Sequence, residues 1–205
     1  MDEKVHKLVT GNNFAESLRF DGGSPLFNLL ATKGARGRGA VERLADDEKI
    51  ATFLDRALGV TDDIVQGDLI SIGSRLIAVR DAIEAIFSFQ IFGVESNKVE
   101  AYKAAEFLNG LIAAQGSHRR FGIDSHGAII TESAASTLDS RVVDIVSEAL
   151  DLLSFSEKRS RVKVCANESC QAIFMDRSPT NNRIWCSMAI CGNRAKARRY
   201  YHSNR

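Results

Sequence analysis

All four cysteines of this 205-residue chain lie between positions 165 and 191. They form two pairs, Cys165 with Cys170 and Cys186 with Cys191, each C-x4-C, separated by fifteen residues. Two chain segments that each supply two thiolates are the usual way to surround a structural zinc ion. Four sulfur ligands close the coordination shell, whereas a catalytic zinc keeps one position open. The expected cofactor is therefore one structural Zn2+ held by Cys165, Cys170, Cys186 and Cys191. The other use of such a pattern is two disulfides in a secreted domain. Met1 to Thr10 is polar and charged and lacks the apolar segment of a secretory signal, so a reducing cytoplasm is the expected compartment. The 164 residues before Cys165 hold no cysteine and are numerous enough to fold without staples.

The spacer must bring the pairs together. Ala172 to Met175 is a short apolar run, and Arg177 to Asn182 is rich in turn formers. Arg183, Ile184 and Trp185 then lead straight into Cys186. The expected order is a knuckle, a short hairpin and a second knuckle. Ser187 is placed to cap a helix from Met188, with Cys191 in its first turn, where the dipole favours a thiolate. This layout is similar to a treble-clef finger. Four thiolates on one zinc leave about two negative charges; Lys163, Arg183 and Arg194 are the nearby cations that could offset them. After Cys191 the same helix carries Asn193, Arg194, Lys196, Arg198 and Arg199. Arg194 and Arg198 share a face, and such a helix could enter a DNA groove, with Arg reading guanine edges and its neighbours meeting phosphates.

Charge is unevenly divided. Residues 156–205 hold eleven Lys and Arg against three acidic residues, a net +8, and residues 1–155 hold sixteen against twenty-three, a net −7. A basic finger on an acidic body points to a polyanionic partner, DNA before RNA. A protein-docking finger is the alternative, and basic tails are also often merely solvated. The acidic body is then the candidate for homodimerisation or for sensing a small-molecule effector.

No catalytic set emerges. His118 and His126 flank an expected hairpin and are read as solvated turn residues. Asp46-Asp47 and Asp62-Asp63 suit helix starts. No apolar run approaches the length of a membrane span. Non-enzymatic function is the expectation.

The body should be mainly α-helical and span residues 1–157, with the finger at 158–205. Leu18 to Phe20 is expected as a short strand, and Pro25 starts a short helix. Lys33 to Gly39, rich in Gly and Arg, is expected as a flexible surface loop, since no Gly-Lys-Ser/Thr follows it. Helices are expected at about 47–58 (cap Asp46, stop Gly59), 66–92, 97–115 and 137–155. The second should bury Leu69, Ile72, Leu76, Val79, Ile83 and Ile86, with Ile70 widening its stripe and Arg75, Arg80, Asp81 and Glu84 outside. Tyr102 should join Ala105, Leu108, Leu111 and Ile112 on the inner side of the third. Ser136 and Asp139 suggest a capping box for the last. A β-hairpin should join 119–123 to 128–131.

The stretch Trp185-Cys186-Ser187-Met188-x-x-Cys191-Gly192-Asn193-Arg194, with the basic residues after it, resembles the CGNR zinc finger. That finger ends a bacterial family proposed to contain stress-induced transcription regulators, whose N-terminal domain is called ABATE. The resemblance extends to the start of the body. The family usually opens with a Gly-Gly turn, then Leu-Asp-Phe-Val-Asn-Thr and later Glu-Arg-Leu. Here stand Gly22-Gly23, then Phe27-Asn28-Leu29-Leu30-Ala31-Thr32, then Glu42-Arg43-Leu44. Asn28 replaces the usual Asp and Ala31 the usual Asn. The resemblance implies a zinc-stabilised, DNA-binding regulator.

Overall fold

The computed structural model describes residues 16–60, 68–115, 119–123, 125–126, 129–133 and 137–203. The protein is mostly helical, with three two-stranded antiparallel sheets among the described residues. Three long helices form the body: α3 (Leu69–Gln90), α4 (Lys98–Gln115) and α5 (Leu138–Ser154). Before them come α1 (Pro25–Leu30), the two-residue strands β1 (Lys33–Gly34) and β2 (Val41–Glu42), and α2 (Asp47–Phe53). Hairpin β3 (Arg119–Ile123) and β4 (Ile129–Ser133) joins α4 to α5, pairing Arg119 with Ser133 and Ile123 with Ile129. After α5 follow a helical turn α6 (Ser156–Arg159), hairpin β5 (Val162–Val164) and β6 (Ile173–Met175), and the final helix α7 (Asn193–Ser203).

Helix α1 is the pivot. Pro25 at its first turn presets the helical φ, and Leu26, Phe27, Asn28, Leu29 and Leu30 are all buried. It packs against α3, α5 and β6. One apolar core therefore runs from Phe53, Leu76, Ile83, Phe87 and Ile145 in the body to Val162 and Ile173 in the last hairpin. The core is continuous across position 157.

The helix faces follow their periodicity with four exceptions. Helix α5 buries Val142, Ile145, Ala149 and Leu152 as expected. Asp46 caps α2 by accepting from Lys49 N at 2.9 Å. Helix α2 then widens into one π-type turn, Leu54–Leu58, and stops at Gly59, where φ is +63°. Helix α3 begins at Leu69, capped by Asp68; residues 61–67, with the Asp62-Asp63 pair, lie outside the described residues.

Three side chains and one cap depart from the expectation. Ile70, expected in the buried stripe, is exposed in the first turn of α3. Arg80, expected on the surface, is 1% exposed. It donates to Thr32 Oγ1 at 3.0 Å and Glu42 at 2.9 Å and pairs with Asp81, so its charge is buried but matched. Tyr102, expected inside α4, is 57% exposed, because Ala101, Ala104 and Leu108 form the inner face. Thr137, accepting from Ser140 N at 3.2 Å, caps α5 in place of Ser136, which lies outside the described residues together with His118.

Two expectations near the N-terminus are also corrected. Leu18 to Phe20 forms no strand. Leu18 and Phe20 pack on the core instead. Lys33 to Gly39 is a built element, not a flexible loop: β1 and β2 pair Lys33 with Glu42 and Gly34 with Val41, and Arg36–Arg38 form a 3-10 turn between them. Lys33 reaches Asp81 and Glu84 at 3.2 Å, and Arg36 pairs with Glu84. No helix among the described residues is long and apolar enough to cross a membrane.

Candidate metal centre and basic helix

Strand β5 delivers the chain to Cys165, whose N–H donates to Ala172 O at 2.9 Å. Asn167 shapes the first knuckle. Its carbonyl accepts from Cys170 N at 2.8 Å and Gln171 N at 3.0 Å, and its side chain accepts from Ser169 N at 3.1 Å. Gln171 then adopts a left-handed conformation, φ +48°, that turns the chain into β6. Ala166 N donates to Ile184 O at 2.9 Å and ties this knuckle to the approach to Cys186.

Asp176 organises the connection. It is 0% exposed. Its carboxylate accepts from Lys163 Nζ at 2.7 Å, Ser178 N at 2.9 Å, Ser178 Oγ at 2.6 Å and Arg183 N at 2.7 Å. Burial opposes its charge, but these donors outweigh it and hold the carboxyl well below the usual range. Sequence reasoning passed over this residue. Its signal was an acidic residue two positions before Ser178-Pro179 in a turn-rich segment.

The second knuckle closes on backbone bonds. Ser187 O accepts from Cys191 N at 2.9 Å and Gly192 N at 3.1 Å, and Met188–Gly192 form a π-type turn that continues into α7. The Ser187 side chain makes no cap bond, contrary to expectation. The Ser187 carbonyl, not its hydroxyl, anchors the turn, taking the i−4 bond from Cys191 and the wider i−5 bond from Gly192.

The four sulfurs lie within 4.8 Å of one another. Cys170 Sγ and Cys191 Sγ each stand 3.7 Å from Cys186 Sγ. A zinc with bonds of about 2.3 Å requires tetrahedral edges of about 3.8 Å. A disulfide requires about 2.05 Å, and all four cysteines are free. Shared hydrogen bonds with Cys165, Cys170 and Cys191 pull the Cys186 thiol far down, and Arg19 adds to the effect. The same sharing pushes Cys170 and Cys191 up. Four thiolates cannot crowd together without a central cation, and the site fits one structural zinc ion.

Charge compensation is distributed differently from expectation. Arg183 does serve the site, donating to Cys186 O at 2.6 Å. Lys163 is spent on Asp176 and on Asn181 O, at 2.7 Å each. Arg194 lies exposed on α7. A cation that the spacing did not point to stands at the sulfurs: Arg19, from the other end of the chain, with Nη1 3.3 Å from Cys186 Sγ. Burial opposes its charge, and Asp21 and Cys186 more than restore it. No spacing rule reaches across 167 positions. The one local signal was an arginine between two core residues, Leu18 and Phe20.

Helix α7 leaves this centre with Asn193, Arg194, Lys196, Arg198 and Arg199 all exposed. Asn193 donates to Ala189 O at 3.1 Å, so its amide helps brace the helix start. Tyr200 and Tyr201 are exposed and meet edge to face at 6.0 Å.

The residues of the second sequence signature form a structural network. Asn28 accepts from Gly22 N at 3.0 Å, where a side chain at position 22 would collide with the Phe27 carbonyl carbon at 2.7 Å. Thr32 O accepts from Arg43 N at 2.9 Å, and Arg43 also donates to Ala31 O. Asn28 thus still has a hydrogen-bonding task, while the methyl of Ala31 is buried.

Comparison with known families gives two matches, one to the CGNR zinc finger over residues 161–203 and one to ABATE over residues 23–154. A search among curated proteins gives no match. The chain belongs to the ABATE family, described as "putative stress-induced transcription regulator", and carries a CGNR zinc finger at its C-terminal end.

Proposed function

We propose that the protein is a DNA-binding transcription regulator, with the finger at 158–205 contacting DNA and the body at 1–157 serving dimerisation or effector sensing. The observation that carries this reading is α7: four basic side chains stand exposed immediately after the last cysteine, on a segment of net charge +8. Zinc fixes the start of that helix, so its cations are presented on a rigid element. Arg194 and Arg198 share one face, and all four cations suit the phosphates that line a groove, with Arg194 also able to reach base edges. In this reading the zinc is structural, the protein is not an enzyme, and it acts in the cytoplasm. A cavity of about 150 Å³ between α3, α4 and α5, lined by Ile83, Phe87, Leu108, Ile112, Val146 and Leu153, is the natural seat for a small apolar effector.

A fluorescence-anisotropy titration of the zinc-loaded protein against duplex DNA tests the reading. Four phosphate contacts correspond to a slope of log K against log salt of about −3.6. Absence of affinity at low salt would leave the second reading, a protein-docking finger. That reading is favoured by the exposed apolar residues Ile184, Met188, Tyr200 and Tyr201.

A further inference from the structure

We propose that the body completes the zinc centre, with Arg19 as an outer partner of the Cys186 sulfur and the turn at 36–37 as a brace on the first knuckle. The metal thereby clamps the finger to the body. This inference does not depend on what α7 binds.

Arg19 carries the argument. Its side chain is 8% exposed. Nε and Nη2 donate to the two oxygens of Asp21, at 3.0 and 2.5 Å. That fork fixes the guanidinium plane and aims Nη1 at Cys186 Sγ, 3.3 Å away. Metal ligands are commonly oriented by such outer partners, whose loss costs about 10–100-fold in metal affinity.

The brace is a separate contact. Arg36 N donates to Cys170 O at 3.2 Å. The Arg36 side chain is anchored to the body through Lys33 O at 2.7 Å, Leu30 O at 2.8 Å and the Glu84 carboxylate. Gly37 lies so close to the knuckle that an added Cβ would stand 1.6 Å from Glu168 O. Only glycine permits that approach. At a third point, Arg177 Nη1 from the finger donates to Gly23 O at 2.8 Å. Three body segments without a metal ligand therefore grip the finger around the cysteines. Zinc loss should be felt at residues 19–28 and 33–43, not within the finger alone.

The test uses the full chain. Hydrogen exchange is followed with zinc bound and after chelation. The clamp predicts faster exchange on chelation at 19–28 and 33–43 as well as at 161–203. Acceleration confined to 161–203 overturns it. Zinc transfer to a chromogenic chelator is then timed. Arg19→Ala should release zinc on the order of 10-fold faster, Arg19→Lys should fall between, and Arg38→Ala, an exposed neighbour of the brace, should match the parent. With Co2+ in place of zinc, Arg19→Ala should also shift the sulfur-to-metal charge-transfer band, which a loss of body stability alone would not. Phe87→Ala loosens the body away from the finger and serves as the control. If it accelerates release as much as Arg19→Ala, or if Arg19→Ala releases zinc at the parental rate, the proposal fails.

Discussion

The body and the finger are held by different physics. The body buries a row of large apolar side chains, among them Phe27, Phe53, Leu76, Ile83, Phe87 and Ile145. The finger's own buried cluster is Ala172, Phe174 and three of its cysteines. Without metal those cysteines are crowded polarizable thiols and offer little burial energy. One half is stabilised by area removed from water, the other by coordination. Among the described residues, their common apolar ground is the seam where Val162, Ile173 and Met175 join the main core beside α1.

Chelation should give the largest effect. Structural zinc typically supplies about 10–16 kcal/mol of apparent binding energy to such a module. Removing it should abolish near-UV signals from Trp185 in the finger, while most far-UV helical signal, from α3, α4 and α5, persists. Loss of both signals together would break the comparison and mean that the body cannot stand without the metal.

The contrast also explains what was legible in the sequence. Metal chemistry is local: two C-x4-C pairs name the four ligands, and the structure brings all four sulfurs together. Helix periodicity likewise marked the inner face of α5, because an aliphatic side chain buries wherever its face turns inward. Arg80 was not legible. Its burial depends on Thr32 and Glu42, which arrive from another part of the chain. Tyr102 failed for the opposite reason: Ala101, Ala104 and Leu108 take the inner face of α4, and the ring stays 57% exposed, edge to face with Phe89 of α3. The segment 33–39 read as flexible because Gly and Arg suggest it. Its order comes from Glu84 and from the knuckle, neither of which local composition reveals.

A second perturbation tests the body alone. Arg80→Ala removes the buried partner of Glu42 and Asp81. Breaking a buried pair costs about 3–5 kcal/mol. Glu42 and Asp81 keep partial access to water, with side chains 33% and 47% exposed, so the lower end, about 3 kcal/mol, is expected. A urea midpoint for the helical signal measures it. Zinc release should change less than with Arg19→Ala, and an equal change would make the two halves one cooperative unit.

Asp176 gives a smaller, pH-dependent test of the finger. Its folded-state pKa is depressed, so its contribution is complete above the unfolded carboxyl value of about 3.9 and is lost as pH falls below it. Zinc itself leaves at higher pH, as the thiolates take up protons. Asp176→Asn should therefore hold zinc more weakly than the parent by a margin that stays constant from about pH 7 down to the pH at which zinc leaves. A margin already shrinking at pH 6 would show that the carboxyl is not held down.

The smallest expected effect bears on what the finger is for. Arg198 and Arg199 are exposed near the middle of α7 and belong to neither buried cluster. Replacing either with Ala should leave zinc release and the melting of both halves unchanged. If α7 lies on DNA and these side chains meet phosphates, each replacement should flatten the salt dependence by about 0.9, the counterions released by one contact. Arg194 lies one turn after Cys191 and discriminates further. On the groove-facing side it should alter sequence preference as well as slope. As a neutraliser of the thiolates it should alter zinc release instead. Parallel salt titrations of the three variants against two unrelated duplexes separate these cases. Slopes identical to the parent in all three would detach α7 from DNA and leave its charge as solvation of the finger.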